Sequence, residues 1–115
     1  MRVLVCGGRS FYDWRLLENT LYELNKEEEI TDVIHGAASG ADMLASQWAC
    51  YNNVRMHPYP ANWKKFGPEA GPIRNQQMID EGKPDLVVVF PGGHGTADMA
   101  LRAEKACIRT KIVET

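Results

Sequence analysis

Three short stretches of small residues stand out for the chemistry their backbones could do: Gly7-Gly8-Arg9, Gly36-Ala37-Ala38-Ser39-Gly40 and Pro91-Gly92-Gly93-His94-Gly95-Thr96. Where no Cβ intervenes, backbone N–H groups can close on an anion, and a helix N-terminus that follows adds the positive end of its dipole. The chemistry is phosphate binding. Tight β-to-α turns need glycine in any case, so each stretch alone fits a purely structural role as well; three on one sheet edge point to a shared ligand. Arg74 sharpens the reading. With Gly71 as helix cap and Pro72 as first helical residue, Arg74 falls in the first turn, where the dipole disfavours a cation by up to about 1 kcal/mol. An anion beside it removes that penalty, and pairing with Glu69 or Asp98 is the alternative. Arg9 is a second candidate for the same anion, against a solvated loop arginine.

Ser39 and Asp42 form the S-x-x-D pattern of an N-cap with its reciprocal acid; the alternative for the Asp42 carboxylate, at the edge of the predicted crevice, is a bond to a ribose hydroxyl. Thr96 reads as the N-cap of a later helix, with Asp98 in its first turn. His94, between glycines, is either a ligand contact or a solvent-facing loop residue. His35 and His57 lie on predicted strands as packed or hydrogen-bonded histidines, and nothing in the sequence clusters them as metal ligands. Trp63, in PANWKKFG, either stacks on a base or anchors its own loop, whereas Trp14 and Trp48 sit on helical faces.

The elements that must position these groups follow from hydrophobic periodicity. Strand-length apolar runs at Arg2 to Cys6, Asp32 to His35, Val54 to Tyr59, Asp85 to Phe90 and Lys111 to Val113 alternate with helical patterns. Trp14, Leu17, Leu21 and Leu24 mark one helix, and Ala41, Leu44, Ala45, Trp48 and Ala49 a second. A third begins at Gly71-Pro72 and stops near Gly82-Lys83-Pro84, and a fourth runs from about Thr96 to Cys107. The β-branched LVVVF run suits a strand covered on both faces. Strict β/α alternation predicts a single-domain Rossmann-like three-layer sandwich over residues 1–115, with a five-stranded, mainly parallel sheet in the order 3-2-1-4-5. The first and third glycine turns then face each other at the switch point, and Pro60 to Gly71 forms a loop above the carboxyl edge.

Composition sets the bounds. With 115 residues and 13 Lys+Arg against 15 Asp+Glu, the chain has a formal charge of −2 and room for one core. It lacks the basic excess that bulk nucleic-acid binding requires. It has no apolar run of the roughly 20 residues a membrane span needs and no secretory signal, which predicts a cytoplasmic protein. Cys6, Cys50 and Cys107 are widely spaced and build no zinc site; Cys6 and Cys107 read as small buried hydrophobes. The Glu27-Glu28-Glu29 run reads as a solvated helix end. No resident cofactor or metal is expected.

Taken in order, Gly7-Gly8-Arg9, Gly36-Ala37-x-x-Gly40-Ala41-Asp42, Ala61-x-Trp63, Ala70-Gly71-Pro72-x-Arg74-Asn75-x-x-Met78 and Pro91-Gly92-Gly93-x-Gly95-Thr96 span nearly the whole chain. Together they resemble the YspA/cpYpsA-related branch of the SLOG superfamily, whose Rossmann-type modules bind nucleotides and nucleotide-derived ligands and include LOG phosphoribohydrolases and DprA. The resemblance implies a binding module that senses or sequesters a nucleotide derivative, such as an ADP-ribose-type or cyclic nucleotide. It also implies self-association to a homodimer or higher oligomer, a neighbouring subunit walling the crevice of a chain that ends just after its last strand. The alternative is a LOG-like hydrolase of an N-glycosidic bond. In LOG enzymes the turn reads PGGxGTxxE. Met99 stands where that glutamate would, and Asp98 is displaced by one residue, or about 100° around a helix. The candidate ligand-binding residues are therefore Gly7, Gly8, Arg9, Gly36, Ala37, Ser39, Asp42, Trp63, Arg74, Asn75 and the Pro91, Gly92, Gly93, His94, Gly95, Thr96 turn. If a bond is cleaved, Arg74, Asp98 and Asp42 are the candidates for catalysis.

Overall fold

A computed structural model describes residues 1–114. Five strands, β1 (Arg2–Cys6), β2 (Asp32–His35), β3 (Arg55–Pro58), β4 (Leu86–Val89) and β5 (Arg109–Ile112), form one sheet in the order β3-β2-β1-β4-β5. Every neighbouring pair is parallel, as the intervening helices require. The helices are α1 (Trp14–Glu27), α2 (Ala41–Tyr51), the single-turn α3 (Trp63–Phe66), α4 (Ala70–Asp80) and α5 (His94–Lys105).

Side-chain alternation along the central strands divides the core in two. Val3 and Val5 of β1 and Val88 of β4 pack with Leu17 and Leu21 of α1 and Leu44 and Trp48 of α2. Leu4, Cys6, Val87 and Val89 point the other way, onto Met78 and Ile79 of α4 and Met99 and Ala103 of α5. Each such fully buried aliphatic side chain contributes roughly 1.5–3 kcal/mol. The chain thus changes faces between β1 and β4, and that reversal opens a crevice at the carboxyl edge. The two edge strands are exposed and carry Arg55 on β3 and Arg109 and Lys111 on β5, charges that discourage further strand pairing.

Several local expectations are corrected. Pro60 to Gly71 is not an irregular loop: Asn62 caps α3 by accepting the Lys65 N–H at 3.1 Å, and a 3-10 turn over Gly67–Glu69 leads directly into α4. Helix α4 starts at Ala70, so Gly71 is inside the helix and Arg74 lies in its second turn, beyond the strongest part of the dipole. Ser39 does not cap α2. The cap is Gly40 at φ +76, where a Cβ would collide with the Gly8 carbonyl, and the Ser39 hydroxyl instead donates to the Arg9 carbonyl at 3.3 Å. Thr96 is likewise no cap, because α5 begins two residues earlier after Gly93. Cys107 is exposed rather than buried, since the left-handed turn it occupies, at φ 59, carries it out of the core.

At the opposite end of the sheet, Asp32 gathers three cationic or ionisable partners. His57 Nε2 lies 2.7 Å from its carboxylate, Arg2 at 3.0 Å and Arg55 at 3.4 Å, and the Thr31 hydroxyl donates to it at 2.7 Å. Burial alone would raise the Asp32 pKa, but the hydrogen bonds from Thr31 and His57 and the charges of Arg2 and Arg55 bring it down to about 2. A folded-state pKa below the unfolded value contributes stability above about pH 4, lost as the pH falls toward 2. Asp32→Asn is therefore expected to cost about 2 kcal/mol at pH 7, with the deficit shrinking below pH 4. Urea denaturation at pH 7 and pH 3 checks both the loss and its direction.

Candidate functional site

The crevice is a cavity of about 700 Å³ at the carboxyl ends of β1 and β4. Its floor is Cys6, Gly7 and Gly8, one wall is Ala38 and Asp42, and the opposite wall is the start of α5. Arg74 and Asn75 of α4 close the back, and Arg9 and Trp63 stand at the mouth. All three glycine turns contribute, but in different ways.

Most of the glycines serve packing. Gly8 N–H donates to the Pro91 carbonyl at 2.8 Å, and a Cβ on Gly92 would strike Thr96 and Gly8, so the first and third turns are bonded to each other. A Cβ on Gly7 would lie 2.6 Å from the Ala41 Cβ. Gly36 N–H donates to Asp42, and Ala37, at φ 57, donates its N–H to His35 Nδ1 at 3.0 Å. These amides are committed to the protein itself. Gly93 and Gly95 have open space around them. The first intrahelical bond of α5 is Ala97 N–H to the Gly93 carbonyl. The N–H groups of His94, Gly95 and Thr96 therefore have no acceptor among the described residues, and all three residues line the cavity. With the positive end of the dipole of a 12-residue helix behind them, these three donors point to the cavity side unpaired.

Arg74 is half-buried and fixed by its own chain. Its Nε donates to Asn75 Oδ1 at 3.1 Å, and its Nη1 donates to the carbonyls of Gly36 and, at 3.4 Å, Tyr59. Of five guanidinium N–H groups, the two on Nη2 remain without acceptors among the described residues. Glu69 and Asp98, the expected alternative partners, do not pair with it. Burial lowers the Arg74 pKa from its ordinary value, with Asp42 opposing the shift and Arg9 adding to it. The group stays charged. Gly36 must be glycine for Arg74 to reach it, since a Cβ there would collide with the guanidinium.

Asp42 is 6% exposed. Its Oδ2 accepts the Gly36 N–H at 3.0 Å and the Ala38 N–H at 3.3 Å, which pins the second turn and leaves Oδ1 free. Burial pushes the carboxyl up to about 6, against these two hydrogen bonds and the charges of Arg74 and Arg9. Beneath it, burial and the Asp42 charge push the Cys6 thiol up to about 12, so this cysteine is inert. His35 is held neutral by burial and by Arg74.

Asn75 reaches the cavity but its polar atoms face inward. It accepts from Arg74 and donates to the Gly95 carbonyl at 3.2 Å and to Asp98 Oδ2 at 2.9 Å, tying Arg74 to the first turn of α5. Asp98 also receives Arg102 Nε at 2.8 Å. Burial raises its pKa, but the hydrogen bonds from Arg102 and Asn75 and the charges of Arg102 and Lys105 outweigh this and keep it an ion. The Asp98–Arg102 pair has the i, i+4 spacing of a helix face, but nothing in the sequence signalled its link to Asn75. His94 is exposed at the cavity edge, and Trp63, 47% exposed, rests one edge on Gly71 with Arg9 5.6 Å from its ring centre.

The sequence model of the YspA, cpYpsA-related SLOG family matches residues 1–66. The chain belongs to this family. It is 35% identical over 93% of its length to the Gene 61 protein of Mycobacterium phage D29, of which it spans 91%. DNA processing protein A (DprA) from Streptococcus pneumoniae superimposes on 99% of the chain with a TM-score of 0.76 at 17% identity, and the chain spans 50% of that structure. A UDP-N-acetylglucosamine 2-epimerase covers the same share with a TM-score of 0.63 at 20% identity, the chain spanning 33% of it. At these identities the likeness is one of fold, and it is the five-stranded, Rossmann-like arrangement that is shared. No helix among the described residues is long and apolar enough to cross a membrane, and no group of three or more His, Cys, Asp or Glu among them could hold a metal.

Proposed function

We propose that this SLOG chain, as one domain, binds a nucleotide or nucleotide-derived molecule and thereby senses or sequesters it in the cytoplasm. Phosphate sits on the His94, Gly95 and Thr96 amides and on Arg74 Nη2, and a ribose hydroxyl donates to Asp42 Oδ1. Self-association, with a second copy walling the open side, belongs to the same proposal. The observation that carries it is the convergence of acceptor-free donors from α5 and α4 on one cavity that also holds a free carboxyl oxygen. Family membership and the shared fold of a UDP-sugar epimerase support a nucleotide-type ligand.

A second reading, cleavage of the glycosidic bond, draws on Asp42, whose pKa of about 6 suits proton transfer near neutrality. It has less support. Met99, where the LOG-type glutamate would stand, is 1% exposed and part of the core, and Asp98 is turned to Asn75 and Arg102.

A thermal-shift panel of nucleoside mono-, di- and triphosphates, ADP-ribose, NAD and cyclic nucleotides tests the proposal, followed by chromatography of each stabilising compound. At a concentration about 100 times Kd, a bound ligand adds about 2.7 kcal/mol of stability, a shift of several degrees for a chain of this size. Recovery of the intact ligand supports binding alone, and a released base supports the hydrolase. A panel without any stabilising compound overturns both.

A further inference from the structure

We propose that a smaller cavity beside the crevice is a second anion subsite, so that the ligand is a nucleotide with two phosphoryl groups, as in a nucleoside diphosphate or pyrophosphate-linked nucleotide, with Arg74 between them. The inference rests on the phosphate reading of the larger cavity and adds a ligand class to it. The smaller cavity encloses about 340 Å³ and shares Arg9, Ala38, Trp63 and Arg74 with the larger one. The two volumes thus meet at a pair of guanidiniums.

The hydrogen-bonding state of that pair points to the occupant. The Arg9 side chain donates to no acceptor among the described residues and lies over the Trp63 ring. Arg74 keeps both Nη2 protons free, as described above. No carboxylate of the described residues lies within ion-pair distance of either, and each of the ion pairs present involves other cations. The nearest acid, Asp42, directs its bonded oxygen to the Gly36 and Ala38 amides instead. Like charges held close without an intervening anion repel each other, and the two sense one another, since Arg9 depresses the Arg74 pKa. One phosphate on the α5 amides meets Arg74 across the larger cavity but leaves Arg9 and the adjoining space unused. A second phosphoryl group on the far side of Arg74 takes the remaining Nη2 proton of Arg74 and the whole free fork of Arg9, the geometry in which arginine binds phosphate best.

Isothermal titration calorimetry of the full chain at fixed ionic strength tests this with AMP against ADP, GMP against GDP and UMP against UDP. The diphosphate of the preferred base is expected to bind tighter than its monophosphate by about tenfold or more. Arg9→Gln removes that advantage, and Arg9→Lys restores only part of it, because it returns charge without the fork. Arg9 is exposed and its side chain bonds nothing else, so both variants retain the fold. Equal affinity for mono- and diphosphate in the unaltered chain, or an advantage that survives Arg9→Gln, overturns the second subsite and leaves the first standing. Failure of every mono- and diphosphate to bind overturns the underlying phosphate reading as well.

Discussion

Arg74→Ala is expected to reduce nucleotide affinity by about 100-fold or more, the scale on which removing a buried charge-assisted contact to phosphate operates. The size follows from preorganisation. Bonds to the Gly36 and Tyr59 carbonyls and to Asn75 already fix the guanidinium, so little side-chain entropy is lost when Nη2 meets the anion. The same bonds mean that the substitution also costs some stability, roughly 1–2 kcal/mol, partly offset because a buried cation is removed. Calorimetry on the folded variant separates the two effects. Arg74→Lys keeps the charge yet cannot span the carbonyls and the ligand together, and it is expected to recover less than about a tenth of the lost affinity. Unchanged affinity in Arg74→Ala would remove Arg74 from the site and leave the α5 amides alone to explain any phosphate binding.

The architecture was legible because its signals are local. LVVVF can only be covered on both faces, Trp14, Leu17 and Leu21 share a helical side, and alternation of such units leaves few topologies. The glycine turns were legible as turns but not as to purpose, because whether a glycine faces a ligand or a neighbouring backbone depends on close approaches between distant segments. Gly8 meets Pro91 and Gly36 meets Arg74; neither contact has a periodicity or a spacing. The same reason hides the Asp32 cluster, whose members come from three strands, and the Asn75 link between α4 and α5. The helical segment before Arg74 was missed although Asn62 is a good cap, because four helical residues and a 3-10 turn carry too short a pattern to compete with Gly67-Pro68 as breakers. Ser39 misled for a different reason. Its S-x-x-D spacing is that of a capping box, but the positive φ of Gly40 turns the chain so that the Asp42 carboxylate bonds the turn upstream of the helix.

That arrangement gives Asp42 the second large effect, and it runs against the usual direction for a buried polar residue. The folded-state pKa of about 6 lies above the ordinary 3.8, so the carboxyl favours the fold only while protonated. Its contribution is complete below about pH 4 and is lost as the pH rises through 6. Above that window the ionised, desolvated group costs the protein about 2–3 kcal/mol relative to a carboxyl of unshifted pKa. Asp42→Asn keeps an oxygen to accept the Gly36 and Ala38 amides and carries no charge to desolvate. It is expected to be more stable than the unaltered chain at pH 8, by about 1–2 kcal/mol after allowing for weaker hydrogen bonds to a neutral acceptor. The gain should vanish near pH 4. Urea denaturation of both proteins at pH 4 and pH 8 measures it directly. Affinity should move the opposite way, because the one Asn oxygen is held by the Gly36 and Ala38 amides and an NH2 group then stands where the carboxylate oxygen accepted the ribose hydroxyl; a loss of about tenfold is expected at pH 8. Stabilisation bought with function is what a binding residue shows when its environment is arranged for a ligand rather than for the fold. A variant less stable than the unaltered chain at both pH values, with affinity intact, would make Asp42 a clasp for the Gly36–Ala38 turn and nothing more.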